Sequence, residues 1–206
     1  MTDKKSFAGK ARDYATTETH HAHPTPDRPS WAAAIMHRWP TWLAIALATL
    51  TVGGSTVESL ADVLPMLAFF YLAAAVLQRR RATWLVAVAT VAAFAALRLQ
   101  DWVDPVVAFS VAALALVLWV VVRGQLRRGA FVVEMAGMVG FTAIALVAVS
   151  VDQDLGRYLV AAGWLGHAAW DFAHLRADKV VSRTFAEWCT VFDVLRAVGI
   201  LILPMP

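Results

Sequence analysis

Ala130-Phe-Val-Val-Glu-Met-Ala-Gly-Met-Val-Gly-Phe-Thr-Ala-Ile-Ala-Leu-Val-Ala-Val-Ser150 carries a single charge, Glu134. At about 1.5 Å per residue, a helix of this length matches the roughly 30 Å hydrocarbon core of a bilayer. Similar blocks recur on both sides of it, each about 17–21 residues long with few or no charges. The whole chain of 206 residues is 60% hydrophobic and 16% charged, with a mean hydropathy of +0.61. A soluble domain has about 25% charged residues and about 45–50% apolar ones. The apolar excess sits in blocks and not in a periodic stripe, which identifies an all-α integral membrane protein.

The blocks predict seven transmembrane helices, over about 41–56, 60–78, 83–99, 105–122, 130–150, 157–175 and 184–203. A Gly53-Gly54-Ser55-Thr56 segment turns the chain between the first two. Pro40, Pro65 and Pro105 stand near helix starts, where a missing N–H costs little. Trp39, Trp42, Trp84, Trp102, Trp164 and Trp188 fall near expected helix ends, as interfacial anchors do. Residues 1–38 read as a disordered cytoplasmic tail and 39–206 as the seven-helix domain. The tail has no apolar core of a secretory signal, and neither end carries a lipidation motif. Its His20, His21 and His23 form a small cluster able to hold a metal weakly.

Basic residues set the orientation. Arg79, Arg80 and Arg81, then Arg123, Arg127 and Arg128, then Arg176, Lys179 and Arg183 fall in alternate loops. The other loops hold Arg98 and Arg157 beside Glu58, Asp62, Asp101, Asp104, Asp152 and Asp154. The positive-inside rule then places the N-terminus in the cytoplasm and the C-terminus outside a bacterial cytoplasmic membrane. The sequence pI of 9.4 follows from these loops and does not indicate nucleic-acid binding. The single Cys189 excludes an internal disulfide. No internal repeat of the secondary-transporter kind is visible.

One stretch breaks the apolar pattern from within. In Gly166-His-Ala-Ala-Trp-Asp-Phe-Ala-His174, the residues His167, Asp171 and His174 follow an i, i+4, i+7 spacing and share one helical stripe. Ionisable groups inside a membrane helix are costly and mark a functional site. Cys189, Asp193 and Arg196 repeat that spacing on the next helix. Counting inward from the connecting loop at about 1.5 Å per residue puts Asp171 level with Cys189, and His167 level with Asp193. Successive antiparallel helices joined by a short loop are usually neighbours, so the two stripes are expected to face each other. Asp193 and Arg196 are spaced to pair along their own helix.

His167, Asp171, His174 and Asp193 offer imidazole and carboxylate donors suited to Zn, Fe or Mn. The same His167, Asp171 and Asp193 suit acid/base work, with Arg196 holding a negative charge. Glu134 is expected as a third wall, or as a side chain reaching the interface. Trp170, Glu187 and Cys189 are further pocket candidates, and Trp170 and Trp188 could line a site for an apolar ligand. Glu58 and Asp62 read as solvated carboxylates at the outer turn. A plain interhelical hydrogen-bond clamp also fits, at about 0.6–2 kcal/mol per contact.

The run 163–174, followed by Phe185-Ala-Glu-Trp-Cys189 and Asp193, resembles small multi-helix membrane proteins of high-GC bacteria. These carry an HAxWDxxH-like motif and a following aromatic-Cys-xxx-Asp helix. The resemblance spans about the last fifty residues and implies that the two helices belong together; it supplies no activity. The chain lacks the H-x-x-x-H pair of ceramidase-like hydrolases and the last-helix lysine of retinal proteins. Small membrane terpene cyclases fit Asp171, Asp193 and the Trp content only loosely. Three functions remain open: an enzyme acting on a lipid or isoprenoid-like substrate, a proton-coupled carrier or channel, and a structural or accessory membrane subunit. Membrane lipids are the expected partners, with an apolar small molecule as substrate.

Overall fold

A computed structural model describes residues 31–51, 53–100, 102–124 and 129–203. The His cluster of the tail, Asp101, Arg127 and Arg128 lie outside the described residues. The chain divides into two units, 1–37 and 38–206. In the first, Trp31–His37 forms a helix, α1, where the sequence leads one to expect disordered tail through residue 38.

The second unit is entirely helical among the described residues. Its elements are α2 (Trp39–Thr51), α3 (Val57–Ala61), α4 (Val63–Leu77), a 3-10 turn (Arg80–Ala82), α5 (Thr83–Gln100), α6 (Pro105–Val122), α7 (Gly129–Ser150), α8 (Gln153–Ala177) and α9 (Arg183–Ile202). The seven expected helices are all present, with α3 and α4 together forming the second. Among the described residues, four stretches are long and apolar enough to cross a membrane: Val57–Leu77, Arg80–Gln100, Pro105–Val122 and Gly129–Ser150. The other three fall short on length or composition. α2 is apolar but has only 13 residues. The 25-residue α8 and 20-residue α9 are long enough, but their ionisable stripes lower their hydropathy.

Local chemistry fixes the boundaries. Thr56 and Ser59 form a reciprocal capping box that starts α3. Asp104 caps α6, and Pro105 occupies its first turn. Asp152 caps α8 and Ser182 caps α9 through side-chain acceptors. Gln78 and Asp178 end α4 and α8 in the left-handed region, at φ 53° and 51°. Both are followed by loops at one end of the bundle, which Arg80 joins: its guanidinium pairs with Asp178, and its Nε donates to the Val181 carbonyl at 3.1 Å. At the opposite end Arg157, early in α8, donates to the carbonyls of Ile200, Leu201 and Leu203. It thus satisfies the last turn of α9 and fixes the antiparallel α8–α9 pair.

α4 is the buried centre; Leu64, Phe70, Tyr71 and Leu72 are all at most 1% exposed. Small residues allow its neighbours and α8 to close in. A Cβ at Gly156 would stand 2.5 Å from the Ala148 carbonyl oxygen, and one at Gly137 would stand 2.9 Å from the Trp170 ring. The first is a close backbone approach of the kind membrane helices make through glycine, and the second seats an indole ring. Trp164 departs from its expected role as an interfacial anchor: it is 1% exposed, and its Nε1 donates to the Leu60 carbonyl. Trp39, Trp42 and Trp102 are exposed as expected.

A buried His–Asp–Asp centre between α8 and α9

The two polar stripes do meet. His167 on α8 and Asp193 on α9 lie 2.8 Å apart, Nδ1 to Oδ2. The same Nδ1 is 3.3 Å from Asp171 Oδ2, one turn along α8. All three side chains are wholly buried. One donor atom from each lies within 4.8 Å of the others, so the group could hold a metal ion.

A tyrosine not anticipated from the sequence completes the centre. Tyr71 on α4 donates its hydroxyl to Asp171 Oδ1 at 2.5 Å. Its ring sits 5.7 Å from the His167 ring and 4.7 Å from that of His174. The available signal was a phenol inside an apolar run, Phe69-Phe-Tyr-Leu72, where a buried hydroxyl must find an acceptor. Phe141 closes another side, with its ring 4.9 Å from the imidazole of His167.

Donors and acceptors do not balance here. Tyr71 satisfies Asp171 Oδ1, and the imidazole satisfies Asp193 Oδ2. Among the described residues, Asp193 Oδ1 and His167 Nε2 find no hydrogen-bond partner, and Asp171 Oδ2 has only the 3.3 Å approach of the Nδ1 already given to Asp193. Buried carboxylate oxygens without donors cost several kcal/mol, so nearly all native ones are compensated. A cation or an additional proton would supply what is missing. The donor set, one imidazole and two carboxylates, fits Zn, Fe or Mn by type. The unpartnered Nε2 is a departure, because metal-bound histidines usually anchor their second nitrogen.

His174 belongs to a second cluster. Its Nε2 lies 2.8 Å from Glu134 Oε1, and Trp170 Nε1 donates to Glu134 Oε2 at 3.1 Å. Glu134 is 2% exposed and does not reach the interface, because these two donors hold it inside. Cys189 is wholly buried, within electrostatic reach of Asp171 and Asp193.

Two candidates lie elsewhere. Glu187 accepts from Thr41 Oγ1 at 2.6 Å and from Arg38 at 3.2 Å, so it fastens α9 to the start of α2. Arg196 forms no ion pair with Asp193 among the described residues. Its guanidinium turns to α2 and the following turn, where it donates to the Thr51 carbonyl and to Ser55 Oγ. Helix ends without their own partners offer strong acceptors, and the Thr51 carbonyl at the end of α2 is one. Asp62 is likewise not a free carboxylate; it pairs with Arg98 at 3.2 Å. No protein-family model, curated protein or solved structure matches this chain.

Proposed function

We propose that this protein is an enzyme of the bacterial cytoplasmic membrane that acts on a lipid or isoprenoid-like substrate, with His167, Asp171 and Asp193 holding a divalent metal. In this reading the seven helical segments, the short α2 and the α3–α4 pair among them, span the bilayer, with the N-terminus inside and the C-terminus outside. The observation that carries it is a pair of wholly buried carboxylates, Asp171 and Asp193, that share one imidazole nitrogen and lie close enough to it to hold an ion together. A bound Zn, Fe or Mn would supply Lewis-acid or hydrolytic chemistry. Tyr71 orients Asp171 through its hydroxyl. His167 bridges the two carboxylates, and Phe141 excludes water.

The test is turnover in vesicles of bacterial lipid, followed by mass spectrometry of the lipid pool. Wild-type protein loaded with metal should convert a lipid species. His167→Gln and chelated wild type should not. No difference among the three would overturn the enzymatic reading.

One observation favours a second reading, proton movement. Glu134, His174, Tyr71, Asp171, His167 and Asp193 form a nearly continuous polar column through hydrogen bonds and the Tyr71–His174 ring contact. Such chains occur in proton relays. Proton flux in liposomes that Tyr71→Phe abolishes would favour this reading over catalysis.

A further inference from the structure

α2, α5 and α9 all begin at the end where Arg80 meets Asp178. Trp39 packs on Trp84 at 5.3 Å, and Trp84 on Trp188 at 5.7 Å. Trp84 also donates to Thr184 Oγ1 at 3.1 Å. The three helices therefore run parallel, and with α4 they enclose a groove of about 730 Å³. Its lining is apolar along most of its length, through residues such as Leu47, Phe70 and Phe192. From Trp84 to Arg98 along α5 it extends about 21 Å.

The far end of this groove is cationic. Arg98 lines it, but Asp62 neutralises that charge. Arg196 also lines it and is 7% exposed, and every hydrogen-bond acceptor it finds is neutral: the Thr51 carbonyl, Thr51 Oγ1 and Ser55 Oγ. Its Nε has no hydrogen-bond partner among the described residues. A buried guanidinium is costly unless paired with an anion. Its nearest acid along α9, Asp193, is engaged with His167.

We infer that the groove binds an anionic phospholipid of the bilayer, its chain lying between α2 and α5 and its headgroup on Arg196. The groove supplies the length and apolar lining for a long chain, and Arg196 supplies the missing charge complement at one end. Asp193 and Arg196 are three residues apart, about 4.5 Å of helical rise, so the headgroup lies roughly one turn from the His–Asp–Asp centre. That this lipid is the substrate rests on the enzymatic reading; that it binds does not.

The test is native mass spectrometry of the full chain released from detergent, with phosphatidylglycerol or phosphatidylcholine of identical chains added. Wild type should retain one phosphatidylglycerol per chain with about a tenfold preference, equivalent to about 1.4 kcal/mol. Arg196→Gln should bring the preference near unity. Arg196→Lys, which keeps the charge if the glutamine variant fails to fold, should keep most of it. Leu47→Trp, which fills the groove away from Arg196, should lower retention of both lipids. Equal retention by wild type, or retention untouched by Leu47→Trp, would overturn the inference. So would a lipid-free dimer in which a second copy covers the groove. Lipid preference without bound metal would sink the metal reading alone, and metal without lipid preference would sink this one alone.

Discussion

His167 Nδ1 lies 2.8 Å from Asp193 Oδ2 across the α8–α9 seam, with neither group exposed to solvent. This contact joins the two helices at mid-length through ionisable groups. It also brings Asp193 into a cluster whose other acid, Asp171, is held by a phenol from a third helix.

Tyr71→Phe removes that phenol's hydroxyl and nothing else. Asp171 Oδ1 then loses its donor. Stability in detergent should fall by about 1–2 kcal/mol, read as a lower melting midpoint. Metal affinity should fall by roughly 10- to 100-fold, as when an outer partner of a ligand is lost. Unchanged affinity would show that Tyr71 does not position Asp171.

The Glu134–His174–Trp170 cluster is distinct from the metal ligands in this account. Glu134→Gln should weaken the α7–α8 contact by about 1 kcal/mol and leave metal stoichiometry unchanged. Loss of metal in this variant would mean that His174 or Glu134 is a ligand after all.

Glycine positions test the packing directly. Gly156→Ala sets a methyl against the Ala148 carbonyl, which is backbone and cannot swing aside. A loss of about 1–3 kcal/mol is expected. Gly137→Ala meets the Trp170 ring, a side chain that can shift, so a smaller loss is expected. The reverse order in thermal denaturation would contradict this arrangement.

Asp178 carries a pH dependence of known sign. The hydrogen-bonded Arg80 guanidinium holds its carboxyl below the ordinary value of 3.8. Folding therefore favours the ionised form, and the stabilisation is present above that value. It is lost as pH falls through the lower value of the folded state. Asp178→Asn should lower stability slightly at neutrality and converge with wild type below about pH 4, which flattens the acid side of the profile. An unaltered acid profile would show that the Arg80 clip contributes nothing.

How much of this was legible beforehand differs by residue. Helix positions followed from apolar block length, and Pro105 marked the start of α6. Equal depth along antiparallel helices paired His167 with Asp193, because rise per residue is fixed. Tyr71 was not legible, since it comes from a helix about a hundred residues away in sequence and only tertiary packing brings it in. Arg196 was misassigned to Asp193 for the opposite reason. Local spacing made that pair available, but the guanidinium goes instead to the Thr51 carbonyl at the end of α2. Trp164 lay near an expected helix end, yet α8 begins earlier and carries it into the core.

The central claim is a metal held by His167, Asp171 and Asp193. Elemental mass spectrometry of the purified full-length protein tests it most directly, with His20, His21 and His23 replaced by Ala throughout so that they cannot contribute. The account predicts near-stoichiometric Zn, Fe or Mn in this background and its loss in His167→Ala and Asp193→Asn, with the helical content of both retained. Absence of metal in every form, or equal metal in all three, would contradict it.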